Sequence, residues 1–262
     1  MTLTVDMAWV LGTLLVATRI AAALALAPVL GPTQIPGTVR VVLAMSLGGL
    51  ILAGLAPSSG PVVAAPVDDL AGLGAALVGE VLIGAAFAFG FLVAYAATQF
   101  AGRALDIQAG FSAAAVLNPA TQGFSPLIGS LFGMAAIMVF LALDGHHVLI
   151  RALALSLEAM PPGTGFSGPG WEAFWRHSSL MFTAGLALAA PVMFALFLAD
   201  IALAVMSRSM PQLNVFILSF AVKVVLAMVG LALSIRYAES ALVMVFSQVF
   251  EFWGGLAAPA SP

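Results

Sequence analysis

Long apolar runs, interrupted at regular intervals by glycine and proline, constrain this chain more than any single motif. Candidate segments run over Met7–Leu30, Val39–Leu55, Leu70–Phe100, Leu127–Leu143, Leu180–Val205 and Val215–Ile235. A helix that crosses a bilayer needs about 20 mostly apolar residues. In hydrocarbon every backbone N–H and C=O must be satisfied within the protein, which leaves helices or a closed barrel. Runs of this length are read as spanning helices, so an all-α membrane protein of about six apolar helical segments is expected. Two shorter stretches, Val148–Leu157 and Ala241–Trp253, read as amphipathic or packed against neighbours. The breaks carry turn chemistry: Gly31–Pro32, Pro36–Gly37, Pro57 to Pro66 and Pro161–Gly170.

Composition agrees. Hydrophobic residues make up 63% of the chain and charged residues 7%, against roughly 25% in a soluble domain. Eight basic and eleven acidic residues cannot coat a soluble globule of 262 residues. The absence of cysteine excludes disulfides, thiolate metal sites and thiol nucleophiles. A net charge of −3 offers no basic face for nucleic acid. The first twelve residues lack the positive n-region of a secretory signal, so they are read as part of a mature first segment. No repeat of 20–50 residues is present, and residues 1–262 are read as a single membrane domain. An alternating loop count puts Arg40, Arg103 and Arg208 on one side and Asp68, Asp69, Glu158 and Glu172 on the other. The positive-inside rule then places the Arg40 loop in the cytoplasm, although Arg151 and Arg176 fall on the opposite side.

The stretch Gly102–Ser125 fits neither loop nor span. It is too apolar for a water-exposed loop and too broken, by Gly110, Asn118–Pro119 and Gly123, for a plain transmembrane helix. Irregular backbone at membrane depth is tolerated only where protein buries it or where it lines a cavity. A second break, Ser207–Phe216, contains Pro211, which stops or kinks a helix, and Gln212 and Asn214, whose side chains can satisfy freed backbone.

Four ionisable residues fall inside apolar segments: Arg19, Glu80, Asp200 and Lys223. Each is costly against lipid and must face protein, water or an opposite charge. An ion or proton relay is one reading; interhelical pairing of Arg19 or Lys223 with Glu80 or Asp200 is favoured, because only two are acidic and they do not cluster. Asp144–Gly145–His146–His147 raises the question of a metal, with Asp144 and His147 one helical turn apart. Zinc wants three or four ligands with outer support, and the remaining histidine, His177, falls in a distant loop. A polar cap at the interface is the favoured reading, and no metal or cofactor is expected. No GxSxG, phosphate loop or dinucleotide fingerprint occurs, so nothing points to an enzyme. Gly129–Ser–Leu–Phe–Gly133 is a GxxxG, and Leu70–Phe100 holds Gly72, Gly74, Gly79, Gly84 and Gly90. Such faces allow close helix packing, with the chain's own helices or another subunit's.

Taken together, these features resemble the FliR family, the flagellar biosynthetic protein of the type III export gate. The matching residues run from Thr18–Arg19–Ile20, Ala27–Pro28–Val29–Leu30–Gly31, Ile35–Pro36 and Val39–Arg40 through Ala101–Gly102–Arg103, Asp106, Gln108, Gly110–Phe111 and Asn118–Pro119. They continue with Asp144–Gly145–His146–His147, Ser156, Pro161, then Arg208 to Phe216 with Pro211, Gln212 and Asn214, and finally Lys223. Two departures stand out. Asn118–Pro119 replaces the family's common Asp-Pro, and Ala221–Val222 precede Lys223 where a proline is frequent.

The resemblance implies a multi-pass subunit of the bacterial inner (cytoplasmic) membrane, in the flagellar basal body. It implies tilted helical hairpins packed with several copies of FliP and FliQ around a pore for unfolded flagellar proteins, near FlhB and FlhA. The stretch 110–123 corresponds to the family's plug loop, with Gly102–Gln108 as its anchor. Apolar side chains seal a pore by excluding water; Phe111, Val116, Leu117 and Phe124 are the candidate seal, and Gly110, Asn118–Pro119 and Gly123 permit displacement. Asn118 makes that seal apolar rather than charge-based. The equivalent subunit of a virulence secretion system and a small-solute or ion transporter are the alternatives.

Overall fold

The structure is a computed structural model of the chain and describes residues 7–26, 36–55, 70–111, 126–168, 170–209 and 215–258. Among these residues it holds seven α-helices and no strand: α1 Met7–Leu26, α2 Gly37–Leu55, α3 Leu70–Ala109, α4 Leu127–Ala142, α5 Gly145–Ala159, α6 Trp171–Ser209 and α7 Val215–Ala257. Six stretches are helical, long and apolar enough to cross a membrane: Met7–Leu26, Gly37–Gly54, Leu70–Ala109, Trp171–Ser209, Ile217–Ser234 and Tyr237–Ala257. The fold is all-α, as the apolar runs require.

The boundaries differ from the sequence reading in instructive ways. Helix α3 runs nine residues past Phe100, because Ala101 to Ala109 contains no proline and Asp106 and Gln108 Nε2 bond to neighbouring helices. Val215–Ile235 and Ala241–Trp253 merge into the single 43-residue α7. The intervening Arg236, Tyr237, Glu239 and Ser240 are polar, but none breaks a helix. Helix α6 starts at Trp171 rather than Leu180 and continues through Pro191. At 1.5 Å per residue the 40 residues of α3 span about 60 Å, twice a hydrocarbon core of about 30 Å. Such a helix is no upright span confined to hydrocarbon.

By its contacts the chain divides into two compact units. One comprises Met1–Leu92, Asp144–His177 and Gln248–Pro262; the other comprises Val93–Leu143 and Ser178–Ser247. The first is built around Leu15, Ile20, Ile83, Phe87, Phe91, Leu153 and Trp253, all buried. Here α2 lies close on α1, with the Cβ that Gly48 lacks falling 3.0 Å from the Ala17 backbone nitrogen. Helix α1 in turn meets α3 at Gly84, where a Cβ would overlap the Arg19 carbonyl oxygen and sit 2.8 Å from Ala22 Cβ. The second unit buries Ala97, Ala101, Leu105, Ile128, Phe140, Leu196 and Phe246.

Gly84 and Gly74 lie on the same helix in opposite circumstances, since a Cβ at Gly74 meets nothing within 4 Å. Alanine is favoured over glycine in a helix interior by about 1 kcal/mol, whereas overpacking costs about 1–3 kcal/mol. Gly74→Ala should therefore raise or preserve the thermal stability of the detergent-solubilised protein, and Gly84→Ala should lower it. Equal melting temperatures for the two variants would refute this account of the α1–α3 contact.

Candidate functional site

Helix α3 ends in a Schellman turn. Gly110 lies at φ 88°, in the left-handed region that a side chain disfavours. Its N–H donates to the Ile107 carbonyl at 3.2 Å, and the Phe111 N–H donates to the Asp106 carbonyl at 3.0 Å. These are the paired bonds that satisfy the last carbonyls of a helix. The Phe220 ring of α7 lies 3.4 Å from where a Gly110 Cβ would stand.

One turn earlier, Asp106 does a second job with its side chain. Helix α4 begins after Pro126, which offers no side-chain cap, so its first N–H groups need another acceptor. The Asp106 carboxylate supplies it: Oδ1 accepts from the Ile128 N–H at 3.0 Å and Oδ2 from the Gly129 N–H at 3.2 Å. The carboxylate is wholly buried, and its charge sits at the positive end of the α4 dipole. Residues spaced three and four apart continue this seam along α3. At Gly102 a Cβ would overlap the Gly129 backbone, Gln99 Nε2 donates to the Gly129 carbonyl at 3.1 Å, and Tyr95 Oη lies 3.0 Å from the missing Gly133 Cβ. The GxxxG of α4 thus packs on the chain's own α3. Gln108 Nε2 donates to the Met193 carbonyl of α6 at 3.0 Å, while Arg103 points to the surface. Between α6 and α7, Lys223 Nζ lies 2.5 Å from Asp200 Oδ1.

The other unit contains a buried ion pair whose polar atoms are all used. Arg19 and Glu80 are 1% and 0% exposed. Arg19 Nε donates to Glu80 Oε2 at 2.6 Å, Nη1 to Ser156 Oγ at 2.9 Å and Nη2 to the Met160 carbonyl at 2.8 Å. Glu80 Oε1 accepts from the Gly163 N–H at 3.0 Å, and the Ser156 hydroxyl donates to the Leu153 carbonyl at 2.7 Å. One guanidinium so joins α1, α3, α5 and the turn after α5. Beside it stands an aromatic cluster that contradicts the placing of His177 in a loop. His177 belongs to α6, is buried, meets the Gly90 carbonyl through Nε2 at 3.1 Å and stacks on Phe252 at 4.3 Å. Trp253 Nε1 donates to the Phe87 carbonyl at 2.8 Å.

The sequence from residue 10 to residue 251 matches the family of bacterial export proteins, family 1. The chain belongs to the FliR family of bacterial export proteins. It is 34% identical over 167 residues to the flagellar biosynthetic protein FliR of Bacillus subtilis, covering 61% of this chain and 64% of that one, just under two thirds of its length. It is 32% identical over 203 residues to FliR of Escherichia coli, covering 77% and 76%. It is also 29% identical over 165 residues to the secretion system apparatus protein SsaT of Salmonella typhimurium, covering 61% and 62%.

The family-motif residues fall into three settings. Arg19, Gly102, Asp106, Gln108 and Gly110 make the contacts described above. Pro36 starts α2, its carbonyl accepting from the Val39 and Arg40 N–H groups at 3.0 and 3.3 Å, and Asp144 and Gly145 open α5 with His146 in its first turn. Pro28, Val116, Leu117, Asn118, Pro119, Gly123, Phe124, Pro211, Gln212 and Asn214 lie outside the described residues; Phe216 lies in the first turn of α7. Sequence reasoning missed the Gly163 N–H and the Met160 carbonyl, because backbone donors and acceptors carry no residue signature.

Two substitutions test these ties. Arg19→Ala strands a buried carboxylate and should destabilise the protein by about 3–5 kcal/mol, whereas the double change Arg19→Met with Glu80→Leu should recover most of that loss; denaturant titration of both variants reads the difference. Asp106→Ala removes two charge-assisted bonds from the start of α4 and should cost about 2 kcal/mol. Hydrogen exchange at Ile128 and Gly129 should then rise above that at Phe140, and uniform exchange would contradict the capping role.

Proposed function

We propose that this chain is a subunit of the flagellar type III protein export gate. In this reading it assembles with FliP and FliQ, adjoins FlhB and FlhA, and helps to form a gated conduit for unfolded flagellar proteins in the bacterial inner membrane at the flagellar basal body. The observation that carries the reading is the family match over residues 10–251. The flagellar branch is favoured over the virulence branch by the higher identity to FliR of Bacillus subtilis and Escherichia coli than to SsaT. The gate does no covalent chemistry; energy comes from other components, and the whole chain works as one export domain.

The gate itself is assigned to residues 110–123. Support comes from its flanks: the Schellman turn at Gly110 fixes where α3 lets go, and the Asp106 carboxylate fixes where α4 resumes. Phe111, Val116, Leu117 and Phe124 form the seal by apolar occlusion, and Gly110, Asn118, Pro119 and Gly123 let it move. A relay through Arg19 and Glu80 is disfavoured, because every polar atom of that pair already has a partner within the protein.

Two measurements decide. Co-expressed with FliP and FliQ, the chain should co-purify with both and be unstable without them; a stable lone chain or small homo-oligomer would favour a transporter. Deletion of Phe111–Gln122 should raise the ion conductance of the assembled complex with assembly largely intact. Unchanged conductance in an assembled deletion complex would remove the plug role while leaving the subunit reading standing.

A further inference from the structure

The turn at Asp144 has an arrangement that protein export does not call upon. Asp144 stands just before α5 at φ 55° and ψ 27°, the left-handed region, and its carboxylate makes no capping bond to α5. Aspartate before a helix normally bonds the N–H groups of the first turn. Here its backbone carbonyl alone does so, accepting from His147 N–H at 2.9 Å and Val148 N–H at 3.1 Å. The freed carboxylate turns instead to the side chain of His147, with Oδ1 3.2 Å from Nδ1. The His146 and His147 rings lie with centroids 4.0 Å apart, although neighbouring side chains on a regular helix diverge. One donor atom from each of Asp144, His146 and His147 lies within 4.8 Å of the other two. His146 Nδ1 is buried and has no hydrogen-bond partner among the described residues. A buried polar atom left without a partner is rare, and a missing ion is one standing explanation.

We propose that Asp144, His146 and His147 form a three-ligand site for a divalent transition cation of the Zn2+ type. Two imidazoles and one carboxylate are the donor set such borderline cations take, and three protein ligands leave a fourth position for water. The geometry is close to ready. Two bonds of about 2.1 Å at the tetrahedral angle put their donors about 3.4 Å apart, close to the 3.2 Å between Asp144 Oδ1 and His147 Nδ1. The donors span four consecutive residues, so binding closes almost no loop and orders little chain. Asp144 and His147 are 73% and 70% exposed, which gives a cation a way in. On binding, the ion takes the place of the Asp144–His147 hydrogen bond and gains His146 as its third ligand.

The test uses the full chain, alone or in its membrane complex, carrying an affinity tag without histidine. The sequence has three histidines in all, and His177 is buried in the aromatic cluster, so the background is small. Titration calorimetry with Zn2+ should give one saturable site per chain. His147→Ala and Asp144→Asn should each weaken it at least about tenfold, the lower bound seen even for groups that only support a ligand. Asp144→Asn keeps a residue tolerant of left-handed backbone, and His147 is exposed, so neither variant should misfold. Cu2+ substituted for Zn2+ should show nitrogen superhyperfine coupling in its EPR spectrum from two imidazoles, reduced to one in His147→Ala. Absence of saturable Zn2+ uptake, or uptake unchanged in the His146→Ala, His147→Ala double variant, would overturn the site.

Discussion

Helices in an apolar medium are held by how closely their backbones approach, and α3 sets that distance within each unit. Lipid tails are as apolar as leucine, so hiding apolar surface from them gains little; contact area and satisfied polar groups must do the work. In the first unit the turn after α5 comes to 3.0 Å from the missing Cβ of Gly79 and the Trp253 indole to 2.7 Å from that of Gly90. In the second, α4 reaches Gly102 backbone to backbone, and α6 offers its own Gly185 to the Ala97 carbonyl. The glycines cost helix propensity, about 1 kcal/mol each. The close contacts they permit explain why the most apolar 18-residue stretch of α3 is 61% buried while that of α2 is 17% buried.

Close approach brings carbonyls and amides together, and the charged residues are where the chain satisfies them. Arg19 covers a carbonyl at the end of α5, Asp106 covers two amides at the start of α4, and Glu80 covers the Gly163 amide. Each of these three groups makes its hydrogen bonds to the protein and away from water, which is the arrangement of a structural tie. Asp106 shows how economical this is, because a single residue closes α3 with its backbone and opens α4 with its side chain.

Much of this was legible in the sequence and some could not be. The apolar runs give the helices, and Gly110 and Gly129–Gly133 announce a turn and a packing face. The opposite signs of Arg19 and Glu80, or Lys223 and Asp200, allow pairing but do not choose partners; three-dimensional proximity does that. The merger of two segments into α7 was hidden because hydropathy dips at Arg236 and Glu239, and hydropathy measures lipid preference rather than helix continuity. His177 was misplaced for the same reason: Trp171 to Ser179 is polar enough to read as a loop but contains no breaker. The αL turn at Asp144 was invisible because aspartate before a helix usually signals an ordinary cap.

The outer faces of α6 and α7 carry the last constraint. Only 6% of Ile217–Ser234 is buried, and Ile217, Val225 and Leu233 are 65%, 62% and 80% exposed. Lys223 and Asp200 sit within this apolar surface, at 19% and 40% exposed. Water cannot be the neighbour of so much contiguous apolar surface without aggregation. Lys223 meets one oxygen of the Asp200 carboxylate, but lipid is a poor neighbour for the part left uncovered, because ionisable groups at membrane depth are costly unless they face protein, water or an opposite charge. Both demands are met when other subunits cover the helices and bring polar groups, or a hydrated conduit, to the Asp200–Lys223 pair. A solitary transporter would have to meet both with its own helices, and α6 and α7 leave that side open. The physics of this face therefore favours a chain completed by its assembly over one that works alone.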